Sequence, residues 1–334
     1  AVDEICVLDT GSEDGTLDVL AAYHRYASAR GAAPPLRVEQ VTPASRPGWY
    51  AGGGLCVVCH GFGRDKGPDT PPCSRCGGEG IYAADGPPLL TRYGEARARS
   101  FAMATQPWIL WLDSDDVVAH RPAPADGLTG GWGGLQGALA TLPPDVSALE
   151  CPYHYDHGPD GRVLSVVRRM RIVRAGARWA WQGRYHEDLV WGGGGALPAM
   201  AADDLIVQHR RHGEPNKGRL HAVLRQIERD EGGAPGAPTE NGPGLDSRLS
   251  GYMVQHHIGQ GRPREALPYA ERSLAVAATP KERLDAVLAL ASVSLALGDT
   301  QAALMLFESA DRLAPRDIDA AFGAFTACAI LRRD

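Results

Sequence analysis

The sequence predicts an α/β domain that carries a small zinc-binding insert and ends in an α-helical repeat region. Three observations support this. Strand-like and helix-like segments alternate over the first 48 residues, four of the seven cysteines crowd into one Gly- and Pro-rich stretch, and residues 245–334 show a helical periodicity that repeats. Strand–helix–strand alternation is the mark of a parallel sheet.

The elements follow in order. "EICVLDT" is a short apolar run suited to a strand, and "GSEDGT" is a turn with a helix start in which Asp14 acts as a cap. "LDVLAAYHRYASARG" places apolar residues at helical spacing and stops on Gly31, and "LRVEQVT" alternates as a strand does. Residues 50–88 have no core periodicity and read as an inserted module. A helix over "YGEARARSFAMATQ" then leads into the strand of "WILWLDSDD", with a short helix near "LQGALATL". Short strand-like pieces rich in aromatic and Arg residues fill 146–210, and the pattern turns helical after about residue 216. "GQGRPREALPYAERSLA" and "ALGDTQAALMLFESADRLAP" align at a shift of 37 residues, Gly261 on Gly298 and Ala266 on Ala303. Gly298, Ala303, Ala310 and Pro315 hold the small-residue and proline spacing of a tetratricopeptide repeat.

Composition bounds the function. A chain of 334 residues with 44% hydrophobic content can bury a sizeable core. A net charge of -6 argues against coating nucleic acid through charge alone. No apolar run approaches the roughly 20 residues needed to span a bilayer, and the N-terminus shows no secretory signal pattern. Cysteines clustered as a metal site, not spread as a disulfide framework, lead us to expect a cytoplasmic protein.

The acids carry the chemistry. Both "CVLD" and "WLDSDD" place carboxylates at the carboxyl end of a strand, where open α/β sheets bind ligands. Asp113 and Asp115 are two apart and, in an extended segment, point the same way. A hard divalent cation bound to phosphate oxygens requires one or two carboxylates so placed.

"ICVLDTGSEDGT", "ARARSFAMATQPWILWLDSDD" and "WQGRYHEDL" stand in an order and spacing that resemble family 2 glycosyltransferases of the GT-A fold, a Rossmann-like, nucleotide-diphospho-sugar transferase domain. The resemblance is to the subgroup with trailing tetratricopeptide repeats. It implies a GT-A domain over 1–230, interrupted by the four-cysteine insert at 50–88 that the family pattern lacks, and helical repeats over 245–334. Members normally begin with a strand and helix ahead of the "VDTGS" segment, so the first strand is expected to be missing here.

The resemblance also implies roles. Asp9 would contact the base of a nucleotide-sugar donor, such as a UDP-sugar, and Arg97 would reach the donor, with Ala98 where the family usually has Asn. Asp113 would lie nearer the ribose and Asp115 on a Mg²⁺ or Mn²⁺ ion, with Asp116 helping indirectly. Glu187 would take the acceptor's proton, and His209 would complete the metal or diphosphate site. The implied activity is an inverting, metal-dependent transfer of a sugar to an acceptor that is a peptide or protein, a saccharide or a modified DNA base. Arg171 and Arg174 are expected either at the diphosphate or on a solvated strand.

"CVVCHGFG" and "CSRCGGEG" are two copies of C-x-x-C-x-G-x-G, and Cys56, Cys59, Cys73 and Cys76 together predict a closed, structural zinc site. They resemble half of the zinc domain of DnaJ-type chaperones. The site would staple a loop or help to recognise an acceptor. Helical repeats favour peptides as partners, whereas "RPGW" and the Arg/His-rich stretch 209–225 would suit nucleic acid. A second function class is a non-catalytic interaction protein, with zinc module and repeats as binding surfaces on a degenerate transferase domain.

Overall fold

The structure, a computed structural model, describes residues 2–12, 14–31, 33–51, 54–56, 59–60, 62, 64, 71–78, 80–82, 89–119, 134–210, 217–230 and 245–332. In chain order the first elements are β1 (Ile5–Asp9), α1 (Thr16–Ser28), β2 (Leu36–Gln40), β3 (Gly54–Leu55), β4 (Ile81–Tyr82) and α2 (Tyr93–Met103). Next come β5 (Trp108–Leu110), β6 (Asp116–Val118), α3 (Leu135–Thr141), β7 (Ala148–His157) and β8 (Val163–Arg174). β9 (Trp179–Gln182), β10 (Asp188–Trp191), β11 (Ala199–Ala201) and β12 (Val207–His209) complete the strands. The C-terminal helices are α4 (Lys217–Asp230), α5 (Ser247–Gly259), α6 (Pro263–Val276), α7 (Pro280–Ala296), α8 (Thr300–Leu313) and α9 (Ile318–Leu331). Two compact units result: residues 1–46 with 92–214, and residues 47–91 with 215–334.

In the first unit β1 and β2 pair in parallel, as the N-terminal alternation predicts, but as a sheet of their own. The N-cap of α1 is Gly15, without a side-chain cap, so Asp14 is not the cap the sequence suggests. It stands one residue earlier and accepts from the Thr16 amide and hydroxyl at 3.2 and 2.6 Å, and Gly31 follows the helix at φ 63°. The main sheet has the order β5-β8-β7-β12-β6, with β11 beside β7, and it is mixed where a parallel sheet was expected. The reason is local. β7 and β8 are joined by a turn closed by Gly158 and Arg162, which forces antiparallel pairing along their whole length. Among the described residues of this sheet, β7 pairs in parallel with β11 and β12, and the other pairs are antiparallel.

Alternation along β7 and β8 decides what each face buries. Leu149, Cys151 and Ile172 face Leu135 and Leu139 of α3. Their neighbours Ala148 and Val173 face the other way, towards Phe101 of α2 and Trp179 and Trp181 of β9. Burial on both faces is what an α/β sheet requires.

In the second unit the insert closes as a stem. Ala51 and Thr91 donate to the carbonyls of Leu89 and Trp49, Tyr50 bridges Leu90, and β3 pairs antiparallel with β4 beyond them. The helices that follow have sequence-encoded starts: Asp246, Asp299 and Asp317 cap α5, α8 and α9, and Thr279 with Glu282 forms a capping box on α7. Gly261 and Gly298, the two positions the repeat aligns, both turn the chain at positive φ, 69° and 86°. Ala266 and Ala303, also aligned, are fully buried. At Gly323 a Cβ would stand 2.2 Å from the Phe307 ring, so α9 can approach α8 only through glycine there.

Candidate functional site

Sheet pairing assembles the acidic site. His209 is the cross-strand partner of Asp116, and Arg210 extends that ladder by donating its amide to the Asp115 carbonyl at 2.7 Å. β7 lies on the other side of β12 and brings Tyr153, whose hydroxyl donates to Asp116 at 2.8 Å. β8 contributes Arg171. Its guanidinium lies 3.0 Å from Asp116 and 3.5 Å from Asp113, and stacks at 3.9 Å on Trp111 and 4.4 Å on Tyr153.

Residues 113–116 form a turn, closed by the Asp116 amide on the Asp113 carbonyl and the Asp113 amide on the Asp116 carboxylate, both at 3.0 Å. This corrects the expectation of an extended segment with Asp113 and Asp115 pointing the same way. A turn sends the acids apart. Asp113 faces Arg97, at 2.6 Å, and Arg171, whereas Asp115 faces His209, with 3.5 Å between carboxylate and Nδ1. Asp116, 3.6 Å from the same Nδ1, stands directly in this group and not behind it.

Arg97 ties the turn to the "WQGRYHED" segment by an ion pair with Glu187. The docking of α2 produces that contact. Tyr93 donates its amide to the Arg184 carbonyl at 2.8 Å, and a Cβ on Gly94 would stand 2.2 Å from the Gly183 carbonyl oxygen. Glycine at 94 therefore lets the helix sit on the loop. In that loop Gly183 and His186 both have positive φ, 95° and 53°, which turns Glu187 back towards Arg97. For a non-glycine residue such as His186 this conformation is uncommon.

The electrostatics of the cluster are lopsided. Four carboxylates, Asp113, Asp115, Asp116 and Glu187, meet two guanidiniums, Arg97 and Arg171. Burial pushes the Asp113 carboxyl up, but the charges of Arg97 and Arg171 outweigh it and hold it below the usual carboxylate range. Burial likewise works against the Arg97 cation, and Asp113 and Glu187 more than restore it. Among the described residues the carboxylates of this group outnumber its guanidiniums by two, the charge a divalent cation would cancel. Asp115, Asp116 and His209 each offer one ligand atom, all within 4.8 Å of one another. Mixed oxygen and imidazole donors so spaced could hold a divalent ion, whose neighbouring ligands at roughly 2.1 Å from the metal lie about 3 Å apart.

Asp9 belongs to a different local arrangement. Its buried carboxylate accepts from the amides of Gly11 and Ser12 and from Gln40 at 2.9 Å, fixing the "TGS" turn onto β2. Burial raises its carboxyl and these donors more than compensate, leaving it below the usual range. Arg174 is also apart from the acids, bonded to the Val146 carbonyl and lying over Trp108. Arg171 is no member of a solvated strand; it is 2% exposed. Tyr153 was missed by sequence reasoning. The only signal for it was its place in an aromatic, alternating strand.

The thiols of Cys56, Cys59, Cys73 and Cys76 form a second, separate group in the other unit, all buried and within 4.8 Å of one another. Sulfur separations of 3.8 Å (Cys56–Cys73) and 3.6 Å (Cys59–Cys76) match the edge of a zinc–thiolate tetrahedron, about 3.8 Å for bonds of about 2.3 Å. The Gly80 amide donates to the Cys76 sulfur at 3.2 Å, the kind of second contact that orients a thiolate ligand. These thiols fit a structural zinc ion. In the stretch that suggested nucleic acid, His221 is buried and Arg225 is paired with Glu228, so neither offers a free basic surface. Residues 211–216 of that stretch lie outside the described residues. No helix among the described residues is long and apolar enough to cross a membrane. No protein-family model matches this chain, and no curated protein matches it in sequence.

Proposed function

We propose that the first unit is a metal-dependent, inverting glycosyltransferase of GT-A type that uses a nucleotide-sugar donor. The observation that carries this reading is convergence. Arg97, Asp113, Asp115–Asp116, Glu187 and His209 come from four remote segments, yet they form one chain of ion pairs through Arg97 and Arg171. Of these, the ordered motifs single out Arg97, Asp113, Asp115 and Glu187; Asp9, which they also single out, bonds instead to Gly11, Ser12 and Gln40.

The roles follow from what each side chain can do. Asp115, Asp116 and His209 would hold a Mg²⁺ or Mn²⁺ ion, which neutralises the leaving diphosphate when bound. Arg97 reaches both Asp113 and Glu187 and is the movable cation; Arg171, buried and stacked, is the fixed one. Glu187 accepts the acceptor's proton as the acceptor oxygen attacks the anomeric carbon and the diphosphate departs. Its pairing with Arg97 means that donor binding, by drawing Arg97 to the diphosphate, frees the base only when a donor is present. The helical region of the second unit, with its 37-residue repetition, would present a tetratricopeptide-like groove to a peptide acceptor.

The experiment is a transfer and hydrolysis assay against UDP-, GDP- and TDP-sugars with Mn²⁺, paired with calorimetric titration of the nucleotides. The expected result is binding of one nucleotide class only when the metal is present. Absence of nucleotide binding, with or without metal, refutes the reading and favours the non-catalytic one. That alternative draws on one observation: Glu187, the expected base, is held in an ion pair.

A further inference from the structure

Within the second unit a cavity of about 380 Å³ lies between the zinc module and helices α4, α5 and α6. Arg64 comes from the module, His221 and Arg225 from α4, His257 from α5, Arg262 from the turn before α6, and Tyr269 from α6. Three arginines and two histidines thus line one hollow. Among the described residues two acids answer them. Glu265 lies 3.0 Å from Arg64, 3.5 Å from Arg262 and 3.5 Å from His257, and Glu228 takes Arg225 and the Tyr269 hydroxyl.

That leaves polar atoms over. His221 at both ring nitrogens, His257 at Nδ1, and Arg262 at Nε and Nη2 are buried and make no hydrogen bond, and all three residues are at least nine-tenths buried. Unsatisfied buried donors are costly and are retained where something else satisfies them. Arg262, with no hydrogen bond at Nε or Nη2, is a cation that an oxyanion in the cavity would satisfy. Arg forks match phosphoryl oxygens in geometry. The cavity is larger than a bare phosphate needs, and its walls carry flat rings: His257 stacks on Tyr269 at 5.5 Å, and Phe62 on His256 at 5.9 Å.

We infer that this cavity is a binding site for a small phosphate monoester, its phosphoryl group held by Arg262 and Arg225 with His221 and its organic part lying against the rings. Glu265 competes with the ligand for Arg64 and Arg262 and so sets the affinity. Burial, with the neighbouring arginines, disfavours the protonated histidines in the empty cavity. A bound dianion reverses that balance, so binding takes up a proton.

The test uses the full chain with zinc and no added Mg²⁺ or Mn²⁺, so that the acidic cluster of the first unit takes no part. Inorganic phosphate, methyl phosphate and phenyl phosphate are titrated by calorimetry in two buffers of different ionisation enthalpy. Phenyl phosphate is expected to bind more tightly than methyl phosphate, with proton uptake, and Arg262→Met to weaken it by about tenfold or more. Glu265→Gln is expected to act in the opposite direction and tighten binding, an outcome that a merely structural role for the acid does not produce. No binding of any of the three probes overturns the inference. Unchanged affinity in a folded Arg262→Met variant does the same. If that variant fails to fold, weaker or unchanged binding in Glu265→Gln is decisive against it.

Discussion

Replacing Arg171 by Met tests whether the acidic cluster is built around a buried cation. The side chain is 2% exposed and its main partner, the Asp116 carboxylate, is fully buried. Methionine keeps most of the unbranched stem between Trp111 and Tyr153, so little cavity is created and the change is mainly the loss of charge. Breaking a buried ion pair from one side costs about 3–5 kcal/mol, because the remaining charge is left in low dielectric. The Tyr153 hydroxyl and the Asp113 amide still reach Asp116, so the lower end of that range, about 3 kcal/mol, is expected. Denaturant unfolding followed by tryptophan fluorescence reads this unit directly, since Trp108, Trp111, Trp179, Trp181 and Trp191 all lie in it. The double variant Arg171→Met/Asp116→Asn should recover a large part of the loss, as the orphaned charge is removed with its partner. A loss below about 1 kcal/mol in the single variant would show a hydrated, exposed guanidinium and refute the account of Arg171 as a buried cation.

Other outcomes follow from the same structure. Gly94→Ala should destabilise the first unit by about 1–3 kcal/mol by pushing α2 off the Gly183 carbonyl, and should lower turnover by displacing Arg97 from Glu187, measured by melting and by transfer assay. Asp115→Asn should abolish metal-dependent nucleotide binding while zinc content, read by atomic absorption, stays unchanged. Cys73→Ser should release zinc and unfold the 47–91 stem, visible as faster proteolysis there, with nucleotide and metal uptake retained. The second unit should lose stability in mild acid. Burial depresses His256 to about 4 and His257 to about 3. The unfolded chain therefore takes up protons first, and stability present above about pH 6.5 falls as pH drops towards those values. Between pH 7 and 5 each histidine costs roughly 2 kcal/mol. An unfolding midpoint flat over that range would refute their burial as neutral rings.

Much of this protein is local and was legible without a structure. Two C-x-x-C turns bring thiols together over a few residues, so their spacing is enough to find them; the caps Asp246, Thr279, Asp299 and Asp317, which accept from amides three residues on, are just as local but went unread. The 37-residue repetition likewise marks where Gly261 and Gly298 turn the chain. What tertiary structure decided depends on residues far apart. Arg97 meets Glu187 across 90 positions because α2 docks on a glycine-lined loop, and His209 meets Asp116 because β12 pairs with β6 in one register. Asp113 and Asp115 diverge because two hydrogen bonds close a turn that a D-x-D spacing does not reveal. The basic cavity was invisible for the same reason. Its arginines and histidines lie in segments 47–91 and 215–334, which the sequence separates and only folding groups together, and burial, not residue type, makes their charges matter.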